Sequence, residues 1–292
     1  MGNPLVSIIV ITYNSAKFVL ETLESAKAQT YQNIELIISD DGSQDETVEL
    51  CEKWLAENKD RFIDSQIITV EQNTGIPANC NRGVKASKGE WIKLIAGDDL
   101  LVDSCISLFM SFIERNNEVK VVQCLVQFFG DGSEKPKIIP IELKRNIFKL
   151  SANHQLRAIY SYNFIASPGV LIQKDLIIRH NHFDEEFMSL EDFPMWLKIL
   201  YGNDKFYLLD TVLVYYRRHE NSQSMQTVSS NITPFTNNYI NVKIRIYQKY
   251  AEFNKLLTTK EILKLRYFKF LNSTGWKRNK ILDILNKIIY KL

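Results

Sequence analysis

The chain has 292 residues, of which 45% are hydrophobic and 24% are charged, and its formal net charge is +2. This composition is typical of a folded globular protein with one large domain, or one domain and an extension. No apolar run approaches the roughly 20 residues that span a bilayer, and no basic segment followed by an apolar stretch opens the chain, so a cytoplasmic protein is expected.

The cysteines are too widely spaced in sequence for a zinc site or a disulfide framework. Cys51, Cys80, Cys105 and Cys124 form no CxxC pair. We therefore interpret the four cysteines as buried free thiols.

The charge is distributed unevenly along the chain. Residues 231–292 contain 13 Lys and Arg against 3 Asp and Glu, so the preceding residues are acidic overall. We interpret residues 1–228 as the main domain and residues 229–292 as a basic helical C-terminal extension. The extension either packs on the main domain as a solvated helical segment or docks on an anionic membrane leaflet, at the inner face of the membrane.

The first part of the chain alternates between short apolar runs and amphipathic segments. Strands are predicted at residues 5–12, 34–39, 67–70 and 91–95, and helices at 16–29, 44–58, 75–86 and 101–114. This alternation predicts a parallel sheet flanked by helices. Each strand is followed by polar residues, namely Thr12-Tyr13-Asn14, Asp40-Asp41, Asn73-Thr74-Gly75 and Asp98-Asp99. Ligands bind beyond the carboxyl ends of parallel strands, so the four clusters are expected to line one cleft.

The second part of the chain has weaker periodicity. Strands are predicted at residues 120–128, 167–173 and 208–217, with helices at 174–179 and from the 188–196 segment to about residue 201. Residues 141–163 are less regular, and we interpret them as a partly mobile lid over the cleft. Helices are predicted at residues 237–253, 259–271 and 277–290.

The adjacent carboxylates Asp98 and Asp99 follow an apolar strand and the turn residue Gly97. Two carboxylates so placed repel each other unless a cation or hydrogen-bond donors hold them, so the pair predicts a metal site or raised pKa values. The alternative is that one Asp caps the following helix and the other is solvated. Neither GxGxxG nor GxxxxGK[ST] occurs, which disfavours a glycine-cradled dinucleotide. A nucleotide diphosphate could still bind through a metal on the carboxylates.

Several motifs in a fixed order resemble those of a known family. They are LVSIIVITYN, SDDGSQDET, QNTGIPANCNRGVKASKGEWIKLIAGDDL, LEDFPMW and YYRRHENSQS, and they cover about residues 4–225. This order resembles the family 2 glycosyltransferases, whose α/β GT-A fold has a Rossmann-like, mostly parallel central sheet flanked by helices. The resemblance implies an inverting transferase that moves a sugar from a nucleotide-diphosphate donor, commonly a UDP-sugar, to an acceptor hydroxyl in surface polysaccharide synthesis. The implied acceptor is a saccharide or a lipid-linked saccharide.

The resemblance also implies roles for individual residues. Those implied to bind the nucleotide sugar are Thr12, Tyr13, Asp41, Arg82 and Asp98. Asp99 and His219 are implied to bind Mn²⁺ or Mg²⁺, and Asp192 is implied to be the general base. One departure from the family pattern is Ala96, which stands where the fuller motif has an Asp and removes one oxygen ligand. Diphosphate oxygens and water can complete an octahedral shell.

Other interpretations of these residues and of the chain stay open. Asp192 could cap its helix, Arg82 could pair with a surface carboxylate, and His219 could be a surface histidine. A catalytically weak nucleotide-sugar-binding protein would be consistent with Ala96. A nucleotidyltransferase is a third possibility. It would require a triphosphate-binding loop rich in glycine and basic residues, and the segment after the first strand has few such residues. Nucleic acid is not expected as a partner, and a homodimer is left open.

Overall fold

The computed structural model describes residues 3–130, 137–219 and 234–273. The chain divides into two compact units, Met1–His219 and Glu220–Leu292. The boundary expected after residue 228 falls among residues 220–233, outside the described ranges.

The first unit is an α/β structure. In chain order its strands are β1 (Val6–Thr12), β2 (Ile34–Asp40), β3 (Asp64–Ile68), β4 (Trp91–Ala96), β5 (Leu100–Leu101), β6 (Val121–Phe129), β7 (Ile138–Ile139), β8 (Val170–Gln173) and β9 (Tyr207–Arg217). Its helices are α1 (Val19–Lys27), α2 (Thr47–Asn58), α3 (Ile76–Ala86), α4 (Cys105–Arg115), α5 (Glu142–Arg145), α6 (Ala152–Ser161), α7 (Lys174–Arg179) and α8 (Asp192–Tyr201).

The strands form one mixed sheet in the order β3-β2-β1-β4-β8-β6-β9-β5, and β7 pairs with β6. The predicted parallel arrangement of the first four long strands is confirmed, because β1 runs parallel to β2 and β4, and β2 runs parallel to β3. β8 lies antiparallel between β4 and β6, and β9 runs parallel to β6. The carboxyl ends of β1, β2, β4, β6 and β9 therefore point to the same edge of the sheet.

The central strands are mostly apolar because both faces of the sheet are covered, and Glu35 of β2 and Lys93 of β4 are buried exceptions. Ile8, Ile9 and Val10 of β1 are all buried. α3 closes onto this strand at Gly83, where an added Cβ would lie 2.3 Å from Cγ2 of Ile9. A glycine at this position thus lets the helix approach the sheet closely.

Residues 141–163, interpreted from sequence as an irregular lid, instead form α5, a 3-10 turn at Asn146–Lys149 and α6. The polar residue Gln155 obscured the apolar periodicity of α6, although it is fully buried. Its side chain accepts the backbone N–H of Phe206 at 2.9 Å and donates to the carbonyl of the same residue at 3.0 Å. α6 is therefore a helix with one buried side, and that side contains a polar residue whose hydrogen bonds are satisfied.

The second unit contains two helices, α9 (Pro234–Lys249) and α10 (Lys255–Ser273), joined by a 3-10 turn at Ala251–Phe253. The two helices pack against each other. They correspond to the helices predicted at residues 237–253 and 259–271, and the one predicted at 277–290 lies outside the described residues. Within the described ranges, no helix combines the length and the apolarity needed to cross a membrane.

Candidate active site

Asp41 follows β2 and holds the loop before α3 in place. Its Oδ1 accepts hydrogen bonds from Oγ1 of Thr74 and Nη2 of Arg82, both at 2.6 Å. Its Oδ2 accepts the backbone N–H groups of Thr74 at 3.1 Å and Gly75 at 2.8 Å. Burial alone would raise the pKa of Asp41, but these hydrogen bonds lower it below its usual value. Asp41 is therefore a charged residue that pairs with Arg82, two positions that the sequence assigned to the same site.

The loops after β1 and β2 are braced against each other. The Thr12 hydroxyl donates to Oδ2 of Asp40 at 2.7 Å, and the backbone N–H of Asp41 donates to the Thr12 carbonyl at 3.0 Å. Asp40 also accepts the backbone N–H of Ser43 at 2.8 Å. Thr12 is buried by this network, whereas the Tyr13 side chain is 48% exposed beside it. Thr12 and Tyr13 were both predicted to bind the nucleotide sugar, and of the two Tyr13 is the accessible one.

The two adjacent carboxylates after β4 have different surroundings. Asp99 is fully buried, and its Oδ1 accepts the backbone N–H of Arg217 at 2.9 Å. Burial first, and the charge of Asp98 second, raise the pKa of Asp99 well above its usual value. Asp98 is partly exposed, and its Oδ2 lies 3.0 Å from Nε2 of His219. The structure thus pairs His219 with Asp98. The assignment of Asp99 and His219 as metal ligands stays a prediction.

The donor set near Asp98 fits a divalent cation only in part. A carboxylate and an imidazole are suitable ligands for Mn²⁺, and Oδ2 of Asp99 is buried without a hydrogen-bond partner among the described residues. No group of three or more His, Cys, Asp or Glu within the described ranges could hold a metal ion. A cation at this position would need further oxygens, such as those of a diphosphate.

Arg217 is a site residue that the sequence assignment missed. Its guanidinium lies 4.5 Å from the ring centroids of both Phe18 and Phe129. Its Nε donates to the Asp98 carbonyl at 2.8 Å, and Nη2 donates to Oε2 of Glu21 at 2.8 Å. Together with its backbone bond to Asp99, Arg217 clamps the turn after β4 onto the end of β9. The sequence offered Arg217 and Arg218 side by side and no means of telling them apart.

The predicted general base opens α8. Oδ1 of Asp192 accepts the backbone N–H of the next residue, Phe193, at 2.6 Å. Asp192 is the first residue of the helix and Glu191 occupies the N-cap position without a side-chain capping bond, so the N-cap alternative for Asp192 is not what the structure shows. The neighbouring Glu191 accepts a hydrogen bond from the Ser167 hydroxyl at 3.3 Å. Burial first, and the charge of Asp192 second, raise the pKa of Glu191 to about 8. The role of Asp192 as base stays a prediction.

The loops that carry these residues contact one another. The backbone N–H of Ile76 donates to the carbonyl of Met188, in the segment before α8, at 2.9 Å. Gly97 donates its backbone N–H to the Ile11 carbonyl at 2.9 Å and packs against Thr12, where an added Cβ would lie 2.9 Å from Cγ2. With the bonds from Asp41 to Thr74, these contacts join the four loops that the sequence predicted would lie together.

The family comparison matches this organisation. Residues 7–176 match the sequence profile of Glycosyl transferase family 2. The chain is 32% identical to the Escherichia coli protein UDP-Glc:alpha-D-GlcNAc-diphosphoundecaprenol beta-1,3-glucosyltransferase WfaP over 75% of this chain and 80% of that protein. It is 29% identical to the Bacillus subtilis glycosyltransferase EpsJ, over 85% of this chain and 71% of that protein.

Solved structures share the fold at lower identity. S. aureus TarS 1-349 in complex with UDP-GlcNAc superposes with a TM-score of 0.67 at 21% identity, covering 93% of this chain and 75% of TarS 1-349. The mannosyltransferase PcManGT from Pyrobaculum calidifontis, in complex with GDP-Man and Mn²⁺, superposes with a TM-score of 0.63 at 14% identity, over 97% of this chain and 79% of PcManGT. These similarities confirm the predicted GT-A fold.

Proposed function

This chain belongs to glycosyl transferase family 2, and from that premise we propose that it transfers a sugar from a UDP-sugar, with inversion, to a hydroxyl of a lipid-linked saccharide used in surface polysaccharide synthesis. The observation that carries the proposal is that two hydrogen-bonded pairs, Asp41–Arg82 and Asp98–His219, each contain a carboxylate that follows a strand, β2 or β4, and these strands end at one edge of the sheet. The name of WfaP supports the choice of a UDP-sugar donor and a diphosphoundecaprenol acceptor.

The nucleotide end of the donor is assigned to the loops after β1 and β2. Tyr13 offers an exposed ring on which a uracil base can stack. Asp41 is charged and fixes Arg82 at 2.6 Å, so the guanidinium is held where it can donate to the base or the ribose. Thr12 is assigned a supporting role here, because its hydroxyl is engaged by Asp40.

The diphosphate end of the donor is assigned to Asp98 and His219. A divalent cation held there would supply charge neutralisation for the leaving diphosphate, and the Mn²⁺ in the PcManGT complex supports this choice of cofactor. We assign Asp98 and His219 as its ligands in place of Asp99, because both are partly exposed. We assign Asp99 a structural role, in which its hydrogen bond to the Arg217 backbone holds the turn after β4 in place.

Asp192 is assigned to accept the proton of the attacking acceptor hydroxyl. A carboxylate is suited to this step when it lies opposite the leaving group and its surroundings are apolar enough to keep it basic. Phe193 and Trp196 of α8 are buried beside it. Attack from this side would invert the configuration at the anomeric carbon.

The test is a set of nucleotide sugars measured for thermal stabilisation and for sugar transfer, each with and without Mn²⁺. Transfer is expected to require a UDP-sugar. Asp192→Asn is expected to lower the turnover by at least about 100-fold while UDP binding is retained, since general bases contribute about 10²–10⁴. Asp175→Asn, at an exposed carboxylate of α7, is the matched control and should leave both properties unchanged.

One observation favours a second function, that of a nucleotide-sugar-binding protein with little catalysis. Ala96 ends β4 where the fuller family motif supplies another carboxylate. Tight UDP binding without transfer in the wild type, whatever the sugar or acceptor tested, would favour this function over catalysis.

A further inference from the structure

The segment from α5 to the end of α6 carries exposed apolar side chains on the surface of the first unit. Leu143 is 81% exposed, and Ile141, Leu150 and Tyr162 are also exposed. Lys144 lies with its ammonium 5.1 Å from the Tyr162 ring centroid, so α5 is adjacent to the end of α6. Phe148 and Phe164, buried edge-to-face at 5.1 Å, fix the two parts together below this surface. We call the surface formed by residues 141–162 the apolar-basic face.

The charge of this face differs from that of the unit around it. Residues 141–162 contain four Lys and Arg and a single acid, Glu142, whereas the rest of residues 1–219 contains 19 Lys and Arg against 29 Asp and Glu. Lys149 and Arg157 are exposed, while Arg145 is neutralised by Asp210 at 2.8 Å. Basic side chains interspersed with exposed apolar ones are complementary to an anionic lipid surface, where headgroups attract the charge and the acyl boundary accepts the apolar groups.

The face is rigidly connected to the predicted general base. The buried side of α6 packs on α8, whose first residue is Asp192. The chain leaving the face at Tyr162 reaches Ser167 five residues later, and the hydroxyl of Ser167 donates to Glu191. The face and the predicted base are therefore carried by two helices that pack directly on each other.

We propose that the apolar-basic face docks the protein on an anionic lipid surface, with Leu143 inserted at the headgroup boundary and Lys144 and Lys149 bound to lipid phosphates. The docking brings acceptors carried in that surface to the side of the site that bears α8. This docking surface is distinct from the basic C-terminal extension, which the sequence alone had suggested as the segment that contacts the membrane.

The experiment measures sedimentation of the full chain with vesicles of phosphatidylcholine alone and of an equal mixture with phosphatidylglycerol, at low and at about 0.15 M ionic strength. Binding is expected only to the anionic vesicles. Lys144→Glu with Lys149→Glu should weaken it by roughly 30-fold or more, since each basic residue contributes about 1 kcal/mol near such a surface. Leu143→Glu should weaken it by at least about tenfold.

Controls make the same chemical changes elsewhere. Ile63→Glu replaces a 67% exposed apolar residue before β3. Lys53→Glu with Lys59→Glu reverses two exposed charges in and after α2. Both control proteins should bind the anionic vesicles like the wild type. Unchanged melting temperatures verify folding. Three results would overturn the proposal: no binding by the wild type, binding lost only in Lys243→Glu with Arg245→Glu of the extension, or lipid-free self-association that Leu143→Glu abolishes. Transfer to a water-soluble acceptor is assayed separately, so failure of docking and failure of the proposed function are distinguishable.

Discussion

At the scale of residues, the site separates like charges by burying one of them. Asp99 is enclosed and hydrogen-bonded by the Arg217 backbone, whereas Asp98 faces the imidazole of His219. Two carboxylates on neighbouring residues would otherwise compete for the same cation and repel each other. The buried member shapes the turn, and the accessible member, Asp98, is the one we propose to bind a ligand.

Replacing Arg217 should loosen this turn. Arg217→Ala removes the bonds to Asp98 and Glu21 and the contacts with two rings, so we expect the free energy of unfolding to fall by about 2–4 kcal/mol. The Mn²⁺ concentration needed for half-maximal stabilisation by UDP should rise, because Asp98 loses its anchor. Arg217→Lys should be intermediate, since a lysine cannot make the forked contacts. Chemical unfolding and Mn²⁺ titrations followed by melting temperature measure both effects.

The control for Arg217 is Arg145→Ala, which removes a guanidinium from an exposed pair with Asp210. Its effect on unfolding should stay below about 1 kcal/mol. If Arg217→Ala behaved like this control in both measurements, the clamp would have no role in positioning Asp98.

Glu191 should make folding stability depend on pH. Its pKa is raised to about 8 in the folded protein, against about 4.3 in an unfolded chain. Between these values the folded state binds more protons, so the free energy of unfolding should fall as the pH rises and then level off above about 8. Glu191→Gln should remove this slope and be relatively more stable than the wild type at high pH. Urea unfolding between about pH 5 and 9 measures the free energy of unfolding as a function of pH. Glu57→Gln, on the exposed side of α2, is the control. If the wild type and both variants showed the same dependence on pH, the prediction would be contradicted.

At the scale of elements, continuous apolar strands were predictable and long-range pairing was not. β1, β2 and β4 could be predicted because burial on both faces leaves mostly apolar runs, which single residues such as Glu35 and Lys93 do not hide. The position of β8, antiparallel between β4 and β6, could not be predicted. Its four residues do not indicate which strands it pairs with or in which direction it runs. α4 begins at Cys105 and not at residue 101, because Leu100 and Leu101 pair with β9.

The candidate site was predictable to the same extent. Carboxylates at the ends of strands, such as Asp41 and Asp98, could be found from their position in the sequence. The pairing of His219 with Asp98 depends on how β9 returns to the sheet beside β6, over a separation of 121 residues. The bulge in β9, where its register with β6 shifts after Cys124, has no sequence signal that we can identify.

The loop before α3 depends on a backbone conformation that glycine adopts almost alone. Gly75 has φ 94 and ψ 159, and an added Cβ would lie 2.9 Å from Cβ of Met188. Gly75→Ala should therefore lower the free energy of unfolding by about 1–3 kcal/mol. It should also weaken UDP binding, because the Gly75 N–H is one of the donors that hold Asp41. Calorimetric titration with UDP measures the second effect.

Gly89→Ala provides the matched control, before the start of β4 and away from the loops that carry the site. It should also destabilise the protein, because the new Cβ would meet the backbone and side chain of Ser7 in the core. The protein that remains folded should bind UDP with the affinity of the wild type. Equal loss of affinity in both variants would mean that general destabilisation, and not the loop, is responsible.

At the scale of the whole molecule, charge and function are divided between the two units. All residues assigned to the nucleotide, the cation and the base lie between Thr12 and His219, within the first unit. The strongly basic sequence lies in the second, where residues 231–292 carry 13 of the 36 Lys and Arg of the chain. The predicted site therefore requires no residue from the second unit.

This division can be tested with a chain that ends at residue 233. It retains every residue assigned to the donor site, so we expect UDP in the presence of Mn²⁺ to bind with the affinity of the full chain and to raise the melting temperature by mass action. The control is the full chain with Lys243→Glu and Arg245→Glu, which changes the basic charge of α9 without removing residues. Calorimetric titration compares the three proteins. A shortened chain that unfolds cooperatively but has lost UDP binding would show that the second unit contributes to the donor site, and the assignment of that site to the first unit alone would then be wrong.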